Sequence, residues 1–258
     1  MQKDLISFII PNRGGIHLMS VIDNINEMYS MFKKEIIVIE QCDAEPFKKG
    51  QLFNIAIKRC NGEYVAMQDN DIIHFRTIRL FDVLKENNMK PYLGFTHTSQ
   101  IPGPKKPYII TDTRLRPSGY GAFLFGLTES FIKANGFSNL YIGWGSEDVE
   151  IGIRIADELL PNGLGKVFRV PQSLGHITHL SRCNRSDRNV QLNDWLFNTR
   201  HNRDYRLDGI EDTTYNLISD EVVNGVRWIR VDNIGVRQPF AYNDLLELRE
   251  EAGRPPYI

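Results

Sequence analysis

The sequence predicts an α/β fold in which a mostly parallel central sheet is flanked by helices. Residues 5–10 and 35–40 form apolar runs of the kind found in strands buried on both faces. Segments with apolar residues at helical spacing follow them, and a third strand is expected at residues 64–68. Because strands and helices alternate at this spacing, right-handed crossovers into one sheet are expected.

Length and composition bound the class of protein. With 258 residues the chain can fill one core, so residues 1–258 are expected to form a single domain. Lys and Arg total 31 against 32 for Asp and Glu, which argues against a nucleic-acid partner. Three cysteines without CxxC spacing indicate neither a disulfide framework nor a zinc site, and a cytoplasmic location is expected. No stretch approaches the roughly 20 apolar residues of a transmembrane segment.

The loop after the first strand is a candidate nucleotide site. Pro11 closes the strand, and Arg13, Gly14 and Gly15 lead into an amphipathic helix that starts near Leu18. Open α/β sheets bind nucleotides at such strand-to-helix loops. GxGxxG is absent, and Arg13 is equally compatible with a solvated loop residue.

The third strand ends directly in Asp69, Asn70 and Asp71. Two carboxylates separated by one residue at the carboxyl end of a strand can face one divalent cation that bridges phosphate oxygens. A turn held by Asx hydrogen bonds is the alternative interpretation.

Further elements follow in order. Strands are expected at residues 91–98, 119–127 and 166–170, and a short helix capped by Thr128 at residues 128–134. The chain is expected to finish with a helix at 212–219, a strand at 225–232 and a terminal helix at 242–251. Residues 181–208 are rich in Arg, Asn and Asp, which is typical of a loop that orders on ligand binding or of a solvated connection.

Residues 136–155 combine a glycine-rich turn with a helix start. Trp144 lies between two glycines, and Glu147, Asp148 and Glu150 fall in the first helical turn, where the helix dipole favours ionised carboxylates. Such a carboxylate can accept a proton. An acidic helix start behind a turn with a core Trp is the alternative. Downstream, His176 and His179 could share one metal ion, with Asp71 as a third ligand.

These segments, in order, resemble the β-1,4-galactosyltransferase family and the related bacterial galactosaminyl-transferring domains. The resemblance covers most of residues 5–235 and is strongest at GWGSEDVE, residues 143–150, behind Asn-Gly-Phe at 135–137. It also includes IVIEQ at 37–41, PFKKGQLFNIAI at 46–57, MQDNDIIHF at 67–75, Arg154, and YNLISDEVVNGVRWIRVD at 215–232. It implies a glycosyltransferase-A fold with a single Rossmann-like nucleotide-sugar domain. Residues 1–100 would form the nucleotide-binding half, and residues 101–258 the acceptor-binding and catalytic half with a lid at about 181–208.

The resemblance also implies the roles of individual residues. Mn²⁺ or another divalent cation would be bound by Asp71, His176 and His179. Asp148 would be the general base, and Glu147 would orient the site. The UDP-sugar donor would be contacted by Pro11, Arg13, Phe47, Lys49, Asp69 and Trp144.

The implied function is inverting, metal-dependent transfer of galactose or N-acetylgalactosamine from a UDP-sugar to the hydroxyl of a saccharide acceptor. Val149 replaces an acid that helps the family grip an N-acetylglucosamine acceptor, so the acceptor stays open. A bacterial or viral enzyme of surface or capsular polysaccharide biosynthesis fits best. The alternatives are a catalytically degenerate nucleotide-sugar-binding protein and a metal-dependent hydrolase that uses the same carboxylates and histidines on water.

Overall fold

The computed structural model describes residues 1–74, 92–96, 99–102, 123–143, 145–148, 150, 151, 154, 169, 170, 174–178, 193, 194, 196, 197 and 208–236. For residues 92–96, 99–102, 169, 170, 174–178 and 236 it describes the backbone alone. The helices are α1 (Leu18–Met28), α2 (Lys49–Arg59) and α3 (Thr128–Lys133). The strands are β1 (Gln2–Asn12), β2 (Lys34–Gln41), β3 (Gly62–Gln68), β4 (Ile72–His74), β5 (Tyr92–Thr96), β6 (Ser99–Pro102), β7 (Phe123–Leu127), β8 (Arg169–Val170), β9 (Leu174–Thr178), β10 (Thr213–Val223) and β11 (Val226–Val236).

The central sheet is mixed, with a parallel centre. Its strand order is β10-β11-β2-β1-β3-β7-β5-β8. The pairs β11/β2, β2/β1 and β1/β3 are parallel, whereas β3/β7 and β7/β5 are antiparallel. In the register of the centre, Ile9 of β1 lies between Ile37 and Met67. The strand-helix alternation that the sequence predicts for its first 68 residues is confirmed.

Two apolar layers cover the sheet and explain the continuous hydrophobic runs. On one face Phe8 packs with Val21 and Ile25 of α1. On the other face Ile9 packs with Leu52 and other residues of α2. Because successive residues of a strand point to opposite faces, a strand covered on both sides needs apolar residues at nearly every position.

The predicted helix at residues 212–219 is wrong. Residues 213–219 belong to strand β10, which pairs antiparallel with β11, and Asp212 lies in the turn before that strand. The connection is Asn224-Gly225, and both residues have positive φ, 52° and 78°. An Asn-Gly pair of this conformation is the usual two-residue turn of a hairpin, and this signal outweighs the weak helical spacing upstream.

The predictions for the remaining helices and for residues 181–208 were confirmed only in part. The short helix at α3 is present, but Leu127 occupies its N-cap position and no side chain caps it. Thr128 Oγ1 instead donates to the carbonyl of Gly62 at 2.7 Å, because the side chain points to β3. The terminal helix at 242–251 and most of the 181–208 segment lie outside the described residues. Among the described helices, none is long and apolar enough to cross a membrane.

Candidate active site at the carboxyl ends of the central strands

The loops after β1 and β3 pack directly against each other. Asn12 Oδ1 accepts hydrogen bonds from the Gly15 backbone N–H at 3.0 Å and from Asn70 Nδ2 at 2.9 Å. A Cβ on residue 15 would lie 2.2 Å from Asn70 Nδ2, so only glycine permits this approach. Asn12 Nδ2 donates to Glu40 of β2 at 2.9 Å. Asn12 and Asn70 thus join the first loop to the Asp-Asn-Asp loop, which the sequence alone did not indicate.

Arg13 and Phe47, both predicted to contact a nucleotide-sugar, lie together. The guanidinium carbon of Arg13 is 5.6 Å from the centroid of the Phe47 ring, and Arg13 Nη1 donates to the Glu45 carbonyl. The carbonyl of Phe47 accepts from the backbone N–H of Gly143 at 2.7 Å, which brings the glycine-rich turn to the same place. Pro11 is buried in β1, at the level of Ile39 of β2.

Lys49, the first residue of α2, connects the Asp-Asn-Asp loop to the glycine-rich turn. Its Nζ lies 3.1 Å from Asp69 Oδ1 and 2.8 Å from Glu147 Oε1. Burial of the ammonium opposes its charge, but the carboxylates of Asp69, Glu147 and Asp148 outweigh that effect and hold the pKa of Lys49 well above its usual value. Two motifs almost 80 residues apart in sequence therefore meet at one buried cation.

The surroundings of Asp69 disfavour its charged form. Burial raises the pKa of Asp69, and the neighbouring carboxylates of Asp71 and Glu147 raise it further, while Lys49 opposes the shift. A cluster of carboxylates that raises the pKa of one member, at the carboxyl end of a sheet, is typical of a functional site.

The glycine-rich turn leads into a helical turn, as predicted. Gly143, Gly145 and Ser146 have positive φ of 77°, 112° and 70°, and Ser146 Oγ donates to Asp194 Oδ1 at 3.1 Å. Glu147 and Asp148 are helical and lie in the first turn. Within the described part of the chain, Glu147 Oε2 is buried without a hydrogen-bond partner. Trp144 lies outside the described residues.

A second, smaller sheet places the backbone of His176 next to the residue that follows Asp71. Its strand order is β4-β9-β6, and Ile72, which follows Asp71, pairs with His176 in antiparallel register. Asp71 is buried. The side chain of His176 and the whole of His179 lie outside the described residues, and no group of three or more potential ligands is assembled within those residues. A carboxylate oxygen and an imidazole nitrogen are ligand types that Mn²⁺ accepts, and this region contains a buried carboxylate next to a strand that bears a histidine.

A buried arginine supports the helix behind the turn. Arg154 is 2% exposed; its Nε donates to Glu150 at 2.6 Å, and its Nη1 donates to the Asp208 carbonyl at 2.5 Å. The carboxylate of Asp208 accepts from the backbone N–H of Asn139 at 2.8 Å and from Ser138 Oγ. The i, i+4 spacing of Glu150 and Arg154 was visible in the sequence, whereas nothing local indicated Asp208.

Sequence comparison matches residues 112–182 to a family model described as the N-terminal domain of galactosyltransferase. Beta-1,4-galactosyltransferase 4 of Homo sapiens is 25% identical over 224 residues, covering 84% of this chain and 60% of that protein. Beta-1,4-galactosyltransferase 3 of Bos taurus is 24% identical over 230 residues, covering 84% of this chain and 52% of that protein. The chain therefore spans about half to three fifths of the length of these relatives.

Solved structures are also similar to this chain. The catalytic domain of Drosophila beta1,4galactosyltransferase 7 in complex with xylobiose has a TM-score of 0.63 and 18% identity, covering 93% of this chain and 98% of that one. A mutant of that enzyme in complex with manganese, UDP-Gal and xylobiose has a TM-score of 0.61. GalNAc-T7 with UDP, GalNAc and Mn²⁺ has a TM-score of 0.53 and 15% identity, covering 74% of this chain and 47% of that one.

The mixed sheet, with a loop bearing two aspartates at the end of a central strand, is a glycosyltransferase-A fold. Together with the sequence matches, it indicates a more specific relationship. The chain is similar in sequence and in fold to β-1,4-galactosyltransferases.

Proposed function

We propose that this protein is an inverting, metal-dependent glycosyltransferase that moves galactose or N-acetylgalactosamine from a UDP-sugar to a hydroxyl of a saccharide acceptor. The observation that carries the proposal is the contact of Lys49, whose side chain is 11% exposed, with both Asp69 and Glu147. It joins the loop that suits a metal-bound diphosphate to the helical turn that carries the candidate base. The complex of a mutant of one similar enzyme with manganese, UDP-Gal and xylobiose supports the same substrate classes.

The nucleotide-sugar would be bound by the loops after β1 and β2. Pro11, Arg13 and Phe47 line one side, and the exposed guanidinium of Arg13 supplies positive charge for the diphosphate. Asp69 would face the donor sugar or ribose. Lys49, which neutralises Asp69, keeps that carboxylate from repelling the donor phosphates.

Asp71, His176 and His179 would hold a divalent cation, Mn²⁺ by preference. When bound, the cation would neutralise the negative charge that develops on the departing UDP. Support for this ligand set comes from the pairing of β4 with β9, which puts the backbone of His176 opposite the residue after Asp71.

Asp148 would accept the proton of the attacking acceptor hydroxyl. Its place in the first turn of a helix favours the ionised form that a base requires. Glu147, fixed by Lys49 at 2.8 Å, would orient this turn, and Trp144 would cover donor and acceptor. Direct attack with one base inverts the configuration of the transferred sugar.

Several finer assignments rest on the sequence. They are a nucleotide-binding half at residues 1–100, an acceptor-binding and catalytic half at residues 101–258 with a lid at about 181–208, and a role in surface or capsular polysaccharide biosynthesis. The cytoplasmic location expected from the cysteine content also remains a prediction.

A turnover assay tests the proposal. The purified chain is incubated with UDP-galactose or UDP-N-acetylgalactosamine, with Mn²⁺ or EDTA, across acceptors that end in N-acetylglucosamine, glucose, xylose or glucuronic acid. We expect UDP release that requires both metal and an acceptor. Release without any acceptor would instead indicate a hydrolase, and metal-dependent UDP binding without release with any acceptor would favour a degenerate binding protein.

Asp148→Asn gives the sharpest check on the assigned base. The amide keeps the shape of the side chain but cannot take a proton, so we expect kcat to fall by about 10²-fold to 10⁴-fold. The affinity for UDP with Mn²⁺, measured by calorimetry, should stay close to that of the wild type. A large loss of UDP affinity would show that Asp148 binds the donor rather than acting as the base.

A further inference from the structure

A buried imidazole bridges the two ends of the Asp-Asn-Asp loop. The chain leaves the central sheet at Gln68 and enters the small sheet at Ile72. His74 Nε2 lies 2.8 Å from Gln68 Oε1, and Gln68 Nε2 donates to the Ile72 carbonyl at 3.3 Å. The residues on either side of Asp69 and Asp71 are therefore connected by side chains across the loop.

Helix α1 and the residue after it hold the same imidazole from the other side. Tyr29 Oη lies 2.9 Å from His74 Nδ1. Asn24 Oδ1 accepts from the backbone N–H of His74 at 2.7 Å, and Asn24 Nδ2 donates to the His74 carbonyl at 3.0 Å. The ring of Phe123 packs edge-on at 5.1 Å. His74 is 1% exposed, so this anchor is shielded from water.

The hydrogen bonds run in one consistent direction. Gln68 uses its Nε2 to donate to Ile72, so its Oε1 is the atom that accepts from His74. His74 Nε2 therefore carries the ring proton, and Nδ1 accepts from the Tyr29 hydroxyl. Burial lowers the pKa of His74 to about 3, which keeps the ring neutral and this arrangement intact near neutral pH.

We propose that His74 is a positioning residue that holds the Asp-Asn-Asp loop, and with it Asp71, in place for metal binding, through its contacts with Gln68, Asn24 and Tyr29. The loop carries two carboxylates that repel each other, and the three residues between β3 and β4 contribute one described backbone hydrogen bond across the turn, from Ile72 N–H to the Asp69 carbonyl at 3.3 Å. The imidazole holds both ends of the loop, and this contact adds to those of Asn70 with Asn12 and of Asp69 with Lys49. Groups that orient metal ligands in this way affect metal affinity by about 10-fold to 100-fold. This inference rests on the proposed metal-dependent function.

The test uses His74→Leu, His74→Gln and a matched control, Thr128→Val. His74→Leu removes both ring hydrogen bonds, whereas His74→Gln keeps a donor that can reach Gln68. Thr128→Val removes a buried hydrogen bond at the opposite end of β3, to the Gly62 carbonyl. Two quantities are measured: hydrogen–deuterium exchange of residues 69–72 in the metal-free protein, and the Kd of UDP in the presence of Mn²⁺ by calorimetry.

We expect His74→Leu to raise that Kd by about 10-fold to 100-fold and to speed exchange at residues 69–72. His74→Gln should recover most of the affinity, and Thr128→Val should lower Tm while leaving the Kd within about twofold, because it is distant from the loop. Unchanged affinity and exchange in His74→Leu would overturn the inference, as would an equal loss in Thr128→Val. A wild type that binds no UDP with Mn²⁺ would refute the proposed function instead, and the exchange measurement alone would then decide whether His74 orders the loop.

Discussion

At the scale of single residues, Lys49 decides how the site holds together. Its ammonium lies between two carboxylates that belong to different parts of the chain. Among the described residues, no other cation pairs with both of these carboxylates. Breaking a buried ion pair by removal of one partner is costly, because the remaining charges stay buried without compensation. Lys49 is therefore expected to contribute to stability as well as to the geometry of the site.

Lys49→Met should lower the free energy of unfolding by about 3–5 kcal/mol at neutral pH. The methionine fills a similar volume but leaves Asp69 and Glu147 facing each other without a cation. Urea denaturation measures the change. Lys58→Met is the control, because Lys58 pairs with Glu211 on the surface at 3.4 Å and its loss should cost less than about 1 kcal/mol. Equal small losses in both variants would contradict the proposed importance of the buried cation.

At the scale of elements, the β10–β11 hairpin extends the sheet beyond the two central crossovers. Strand β11 pairs in parallel with β2, so the hairpin covers what would otherwise be the edge of the parallel centre. Its register depends on the turn at Asn224 and Gly225, where φ is positive at both residues.

Gly225→Ala should destabilise the protein by about 1–2 kcal/mol, because residues with a Cβ rarely adopt a φ of 78°. No neighbour lies within 4 Å of that Cβ, so the cost is conformational rather than a clash. Asn224→Gly serves as the control, since glycine accepts the φ of 52°. Thermal unfolding compares the variants. A Tm loss for Asn224→Gly as large as that for Gly225→Ala would refute the turn geometry as the cause.

At the scale of the whole molecule, one charged network fastens helix α2 to the hairpin. Asp220 of β10 accepts from Arg227 Nε at 2.7 Å and from Arg59 Nη2 at 3.1 Å. Arg227 Nη1 also donates to the Arg59 carbonyl at 2.7 Å. The pKa of Asp220 is lowered mainly by its hydrogen bonds from Arg227. Burial opposes this shift in part, and Arg59 lowers the pKa further.

This network predicts a pH dependence of stability. Because the pKa of Asp220 is lower in the folded chain, its contribution is fully present above the unfolded pKa of about 3.9 and is lost as pH falls through the folded value. Asp220→Asn should therefore destabilise the protein most above about pH 4, and the gap to the wild type should narrow in stronger acid. Urea denaturation from pH 7 down to pH 2.5 measures it, with Glu211→Gln on the surface as control. A gap that stays constant with pH would exclude the ionised Asp220 as its source.

Local pattern was enough to predict a large part of the fold and to locate the two acidic motifs of the candidate site. Strands β1, β2 and β3 were predictable because both of their faces are buried, which makes an apolar run visible in sequence. The Asp-Asn-Asp loop and the acidic helix start were found because each lies within a few residues. The helix predicted at residues 212–219 is wrong because the turn at Asn224-Gly225 folds this segment into a hairpin.

The sequence by itself determined the strand-helix alternation, the two acidic motifs and the family they resemble, since each is encoded by neighbouring residues. The tertiary structure alone decided which distant groups meet: Lys49 with Glu147, Asn12 with Asn70, Arg154 with Asp208, and His74 with Tyr29. Such contacts depend on how the elements pack in three dimensions, and no local periodicity specifies the partner of a buried charge or a buried imidazole.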